Sequence, residues 1–109
     1  MALTAHSGAN LIRGAAGDDI INGAGGNDTL RGDAGADTFV FEVGGDNDVI
    51  ADFSDSEDMI DFSDFGFLET SQAMNSAEQV GDDVVFTFGD DTLTIEDVTL
   101  AVIEDYLIV

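Results

Sequence analysis

Between residues 11 and 40, apolar side chains stand at the centres of short stretches nine residues apart: Ile12, Ile21, Leu30 and Phe39. That interval matches neither a helical face nor a long alternating strand. One inward residue between two outward ones suits a three-residue strand. Farther on, acids alternate with apolar residues, as Asp48-x-Ile50-x-Asp52-Phe53 and Asp58-x-Ile60-Asp61-Phe62. This period of two predicts strands with Ile50 and Ile60 facing inward. Residues 64–83 carry a weaker pattern, and L-E-T-S-Q-A-M (68–74) offers at most a helical turn. V-V-F-T-F (84–88) and T-L-T-I-E (92–96), separated by Gly89-Asp90-Asp91, predict a hairpin with Phe86, Phe88, Leu93 and Ile95 in the core. Thr99 is placed to cap a short helix over 100–104. Asp105-Tyr106-Leu107-Ile108-Val109 then reads as a final edge strand pairing with that hairpin.

The polar positions keep the same nine-residue step. Gly14, Gly23 and Gly32 open the units, Gly17, Gly26 and Gly35 take the fourth place, and Asp19, Asp28 and Asp37 take the sixth. One unit back, over 5–13, Gly8 and Ile12 keep register while Asn10 replaces the aspartate. A fixed period in four columns is an internal repeat. Glycines at the first and fourth places allow strained turns, which curl each six-residue loop with its carbonyls to one side. Two units make one coil of loop, strand, loop and strand, and coils stack in parallel. The Asp19 loop then lies beside the Asp37 loop, and the Asn10 loop beside the Asp28 loop. Carboxylates and carbonyls from stacked loops form an all-oxygen set that suits calcium better than magnesium, which demands tighter octahedral geometry. The fold class expected is all-β: a parallel β-roll over 5–40 with T-F-V-F (38–41) as its last strand, an acidic strand segment over 41–63, and a C-terminal antiparallel β cap with a short helix over 64–109. All of 1–109 forms one domain.

These units resemble the G-G-x-G-x-D-x-U-x nonapeptide of repeats-in-toxin (RTX) proteins. The second glycine of that pattern is Ala15, Ala24 and Asp33 here, while the first and fourth remain. The candidate metal-binding residues are Asn10, Gly14, Ala16, Asp18, Asp19, Gly23, Gly25, Asn27, Asp28, Gly32, Ala34, Ala36 and Asp37. Residues 42–63 resemble the segment after the repeats in serralysin-type C-terminal domains, and are similar to the calcium-binding modules of bacterial alginate epimerases. That resemblance adds Asp48 and Asp58 as a further cation site, so several calcium ions are expected. An acid followed by apolar residues at the end of the chain resembles the ends of serralysin-like proteases. It implies export by the type I secretion machinery, and a secreted bacterial protein.

Charge sharpens this reading. Twenty-four acidic residues stand against Arg13 and Arg31, for a net charge of −22. Such a chain repels nucleic acid and anionic membranes, and it repels itself. Hydrophobic residues nevertheless make up 44%, too many for an acidic disordered tail. A domain that folds when cations neutralise its carboxylates reconciles the two. A halophile's acidic surface would scatter acids without regard to period. There is no cysteine, which excludes disulfides and thiolate metal sites. M-A-L-T-A-H-S-G lacks the basic and apolar runs of a signal peptide, and no stretch is apolar enough to span a membrane.

His6, the sole histidine, reads as an exposed loop residue, and no acid pair is marked off from the aspartate columns. No catalytic constellation is present, so the chain is expected to be non-catalytic, with any catalytic part outside it. The alternative function is recognition of an acidic polysaccharide. Arg13 and Arg31 occupy the ninth place of alternate units, and so stack on one face. A monomer is expected.

Overall fold

The computed structural model describes residues 2–4, 11–14, 17–23, 25–33, 35–42, 47–53, 58–89 and 91–109. The expectations for Asn10, Ala16 and Ala34, and for His6, Gly8, Gly44 and Gly45, lie outside the described residues. The strands are β1 (Ala2–Thr4), β2 (Leu11–Arg13), β3 (Ile20–Asn22), β4 (Thr29–Arg31), β5 (Thr38–Val40), β6 (Asn47–Ile50) and β7 (Met59–Asp61). After the helix α1 (Thr70–Met74) come β8 (Ala77–Val80), β9 (Asp83–Phe88) and β10 (Asp91–Ile95). The helix α2 (Leu100–Ile103) and β11 (Leu107–Ile108) complete the chain.

Successive short strands fall alternately into two sheets, ordered β1-β3-β5-β7-β11 and β2-β4-β6-β10-β9-β8. Ile12 pairs in register with Leu30, and Ile21 with Phe39, 18 residues apart as two nonapeptides require. The next coil is longer: Leu30 pairs with Ile50, and Phe39 with Ile60. Extra loop residues therefore shift Asp48 and Asp58 out of the nine-residue step while leaving them in the same stack. Ile21, Leu30, Phe39, Ile50 and Ile60 are all buried between the sheets. Residues 38–41 accordingly do not close the parallel stack. It runs on through β6 and β7, and then through β10 and β11.

At that end the thin roll widens into an aromatic core. Phe62 lies 5.0 Å from Phe86 and 5.3 Å from Phe88 between ring centroids, and edge-on to Phe41 at 6.3 Å. Each such side chain contributes roughly 1.5–3 kcal/mol on burial, and the six-residue loops of a narrow roll have no comparable source. The hairpin of β9 and β10 forms in antiparallel register, Phe86 opposite Leu93. Phe86, Leu93 and Ile95 are buried and Phe88 is half-buried. One face of the hairpin continues the roll, because β10 runs parallel to β6 with Ile95 opposite Ile50.

One further expectation changes. The final strand does not pair with the hairpin; β11 joins the other sheet, parallel to β7, with Leu107 opposite Ile60. The hairpin's free edge is taken instead by β8, which the sequence pattern left unassigned. Residues 70–74 form a true helical turn, α1, entered through Gln72 Oε1, which accepts the N–H groups of Leu68 (2.5 Å) and Glu69 (3.3 Å).

Candidate metal centre

The loop residues form two stacks of aspartates. Asp37 Oδ1 accepts the Asp19 N–H at 2.9 Å, and Asp58 Oδ1 accepts the Asp37 N–H at 2.9 Å. In the other stack, Asp48 Oδ1 accepts the Asp28 N–H at 2.9 Å. Asp19, Asp28, Asp37, Asp48 and Asp58 are all buried. The carboxylates of Asp37, Asp48 and Asp58 thus reach back one coil and tie their loops to the one before. Fifth-place side chains reach the opposite way: Asp18 Oδ1 accepts the Ala36 N–H at 2.9 Å, and Asn27 Oδ1 accepts the Asn47 N–H at 3.0 Å. The adjoining backbone ladder continues into the strands, Thr38 N–H to Asp19 O and Met59 N–H to Asp37 O, both 2.8 Å.

The first and fourth glycines have different jobs. Positive φ belongs to the fourth place, at 108° for Gly17 and 106° for Gly35. The first-place glycines need no such angle; they leave a notch for a carboxylate. A Cβ on Gly23 would stand 2.9 Å from Asp28 Oδ2 and 3.2 Å from Asp48 Oδ2, so carboxylate oxygens from two coils converge there. A Cβ on Gly32 would overlap the Asp37 carboxylate. Gly25, half-buried, lies in the loop between Gly23 and Asp28.

Asp52 is a residue that sequence reasoning missed. Its Oδ1 and Oδ2 accept the N–H groups of Gly32 (2.9 Å) and Asp33 (2.8 Å), where Asp33 has φ 60°. Its 20-residue step from Gly32, equal to that of Asp48 from Asp28, is the signal that locates it. Arg13 and Arg31 are register partners on the outside of the six-stranded sheet, and both approach Asp33 Oδ1, at 3.4 and 3.9 Å.

Electrostatics make Asp37 the tell-tale group. Its Oδ2 is buried with no hydrogen-bond partner, and its pKa is raised from 3.8 to about 6. Burial is the largest cause, with Asp58, Asp19 and Asp52 adding repulsion against the lowering effect of the Asp19 N–H. A buried carboxylate oxygen facing a glycine notch is what a cation would satisfy. The donors are all hard oxygens, which suits calcium. Among the described residues, no three acidic, histidine or cysteine side chains close on one point. A cation here therefore needs backbone carbonyls in its shell, and the flexible coordination of calcium accommodates them.

A pH dependence follows for the cation-free chain. Because the folded pKa is raised, this group's stabilising contribution is fully present below about 3.8 and disappears as pH rises through about 6. The residual far-UV β signal of dialysed protein in chelator is expected to be greater at pH 5 than at pH 7. A β signal that falls on acidification would mean that Asp37 is not held charged and buried.

Residues 4–39 match the model of the RTX calcium-binding nonapeptide repeat, in four copies. No curated protein matches the chain in sequence. Among solved structures, the extracellular lipase LipA from Serratia marcescens aligns with 99% of this chain at 24% identity and a TM-score of 0.71. The AlgE6R3 subunit of the Azotobacter vinelandii mannuronan C5-epimerase aligns with 98% of it at 26% identity and a TM-score of 0.66. The chain spans 20% of the lipase's length and 77% of the AlgE6R3 subunit's.

Proposed function

We propose that this chain, a β-roll whose residues 4–39 are RTX calcium-binding nonapeptide repeats, is a calcium-driven folding module of an exported bacterial protein. The observation that carries the reading is the pair of buried aspartate stacks, Asp19–Asp37–Asp58 and Asp28–Asp48, joined coil to coil through backbone N–H groups. Five buried carboxylates in a chain of net charge −22 oppose folding until cations neutralise them. Calcium is held by these aspartates with loop carbonyls, and its binding energy becomes folding energy. At low cytoplasmic calcium the chain stays loose enough for type I export. Outside the cell, at the roughly 10⁻⁴–10⁻³ M where weak extracellular modules load, roll and cap close as one unit. On this reading the chain is non-catalytic, and any catalytic part would lie outside it. An extracellular location accords with the lipase to which the chain is similar.

Far-UV circular dichroism tests this. Titration from chelator into calcium is expected to give a cooperative gain of β signal, and magnesium little. A spectrum already folded in chelator overturns the calcium switch. A second reading, recognition of an acidic polysaccharide, is favoured by the Arg13–Arg31 register pair, the two cations sharing one acid, Asp33. Direct binding to alginate tests that reading, and alginate-independent behaviour removes it.

A further inference from the structure

We infer that Asn22–Gly23 is a modification site, where the chain converts itself to a succinimide and then to isoaspartate while the roll is open, and that this conversion bars the roll from closing again. The chemistry needs an asparagine followed by an unobstructed backbone nitrogen, which glycine provides. Asn22 alone meets it: Asn10 precedes Leu11, Asn27 and Asn47 precede Asp28 and Asp48, and Asn75 precedes Ser76. The Gly23 nitrogen attacks Asn22 Cγ and forms an N–C bond. The Cγ–Nδ2 bond breaks, and the amide nitrogen leaves as ammonia with the proton that Gly23 gives up. Water then opens the ring. Opening at the former side-chain carbonyl gives aspartate; opening at the main-chain carbonyl gives isoaspartate, with the main chain running through Cβ and Cγ.

The cation notch keeps this junction in the chain. A Cβ on residue 23 would stand 2.9 Å from Asp28 Oδ2, so no side chain can be placed there to shield the nitrogen. The first-place glycines Gly14 and Gly32 follow Arg13 and Arg31, which offer no carbonyl to attack. In the closed roll the ring cannot form. Asn22 ends β3 in extended ladder register, opposite Thr4 and Val40, and cyclisation requires the Gly23 nitrogen to turn onto the Asn22 side chain. That side chain is held to the next coil, its Nδ2 donating to Glu42 Oε1 at 2.6 Å, and Gly23 is buried.

Conversion damages the coil in two ways. Isoaspartate adds one atom to the main chain. The coil then cannot keep Ile21 opposite Phe39 and also set Gly23 beneath the Asp28 and Asp48 carboxylates. Either acid product also sets a carboxylate against Glu42 where an amide donated, and like charges directly opposite one another destabilise a sheet.

The test incubates the intact chain in mildly alkaline buffer with chelator, with millimolar calcium, and with calcium plus urea. Circular dichroism is recorded on each sample. The inference rests on the calcium-folding reading only for the chelator sample, since urea opens the roll in any case. Trypsin cleavage after Arg13 and Arg31 isolates residues 14–31, in which isoaspartate is read by enzymatic methylation and mass spectrometry. Isoaspartate is expected in chelator and in urea, and at least about tenfold more slowly in calcium alone, because reaction follows the open population. Chains converted in chelator are expected not to regain β signal on calcium addition, in proportion to the converted fraction. The Asn22→Gln variant, whose longer side chain closes its ring far more slowly, is expected to lose the signal. A signal that persists in that variant comes from Asn27 and overturns the assignment, as does its absence from the parent chain in urea. Equal rates with and without urea in calcium overturn the protection, provided that calcium alone gives the folded spectrum. If calcium leaves the spectrum as it is in chelator, the calcium-folding reading fails, and the urea sample still decides this site.

Discussion

Asp37→Asn is expected to stabilise the chain without calcium and destabilise it with calcium. Asparagine keeps the shape and an oxygen for the Asp19 N–H, the 2.9 Å bond that ties the two coils. It removes the buried charge and its repulsion with Asp58, Asp19 and Asp52. A rise from 3.8 to about 6 corresponds to roughly 3 kcal/mol of penalty at pH 7, which the amide relieves in chelator. In calcium the balance is expected to reverse, because on the proposed assignment a charged ligand has gone. Loading one site at a hundred times its dissociation constant stabilises by about 2.7 kcal/mol, and most of that is forfeited. The calcium midpoint is expected to rise at least about tenfold, the equivalent of roughly 1.4 kcal/mol. The residual far-UV β signal in chelator and urea melts in saturating calcium read the two arms. A shift of the same sign in both media would make Asp37 a packing residue, and the ligand assignment would fail.

How far this was legible in the sequence depends on which positions repeat. Ile21, Leu30 and Phe39 announce three-residue strands because an apolar residue recurring every nine fits neither a helical face nor a long alternating strand. Their burial follows directly. The sixth-place aspartates were legible for the same reason. Asp48 and Asp58 were visible only as alternating acids, since added loop residues break the period that Leu30–Ile50 and Phe39–Ile60 pairing preserves in space. Asp52 was hidden by the same slip. The destination of the last strand was not legible at all. Leu107 and Ile108 suit either sheet edge, and the choice is made by the two-sheet alternation, which places β10 on β6 and leaves β7 open. The glycine columns were legible as columns but not as two kinds. A repeated glycine signals either a backbone angle or a close approach, and only the neighbouring coil tells them apart.

That distinction gives the most demanding comparison, Gly35→Ala against Gly17→Ala. Both residues occupy the fourth place and have nearly the same positive φ, 106° and 108°. Alanine at either therefore adds backbone strain of about 1–3 kcal/mol. Their surroundings differ. Among the described residues nothing lies within 4 Å of a Cβ on Gly17, whereas one on Gly35 would overlap the Gly17 carbonyl, 2.6 Å from its carbon. The obstacle is backbone, so no side chain can rotate aside; the two coils must separate, which strains the 2.8 Å ladder from Thr38 to Asp19 and the Asp37–Asp19 bond beside it. Overpacking of this kind adds about another 1–3 kcal/mol. Against a typical total of roughly 5–15 kcal/mol, Gly35→Ala should leave a marginal roll while Gly17→Ala remains folded in calcium. Denaturation of both variants in saturating calcium decides it. Equal losses would show that the loops do not stack glycine on glycine. A larger loss at Gly17 would reverse the direction in which the coils press on one another.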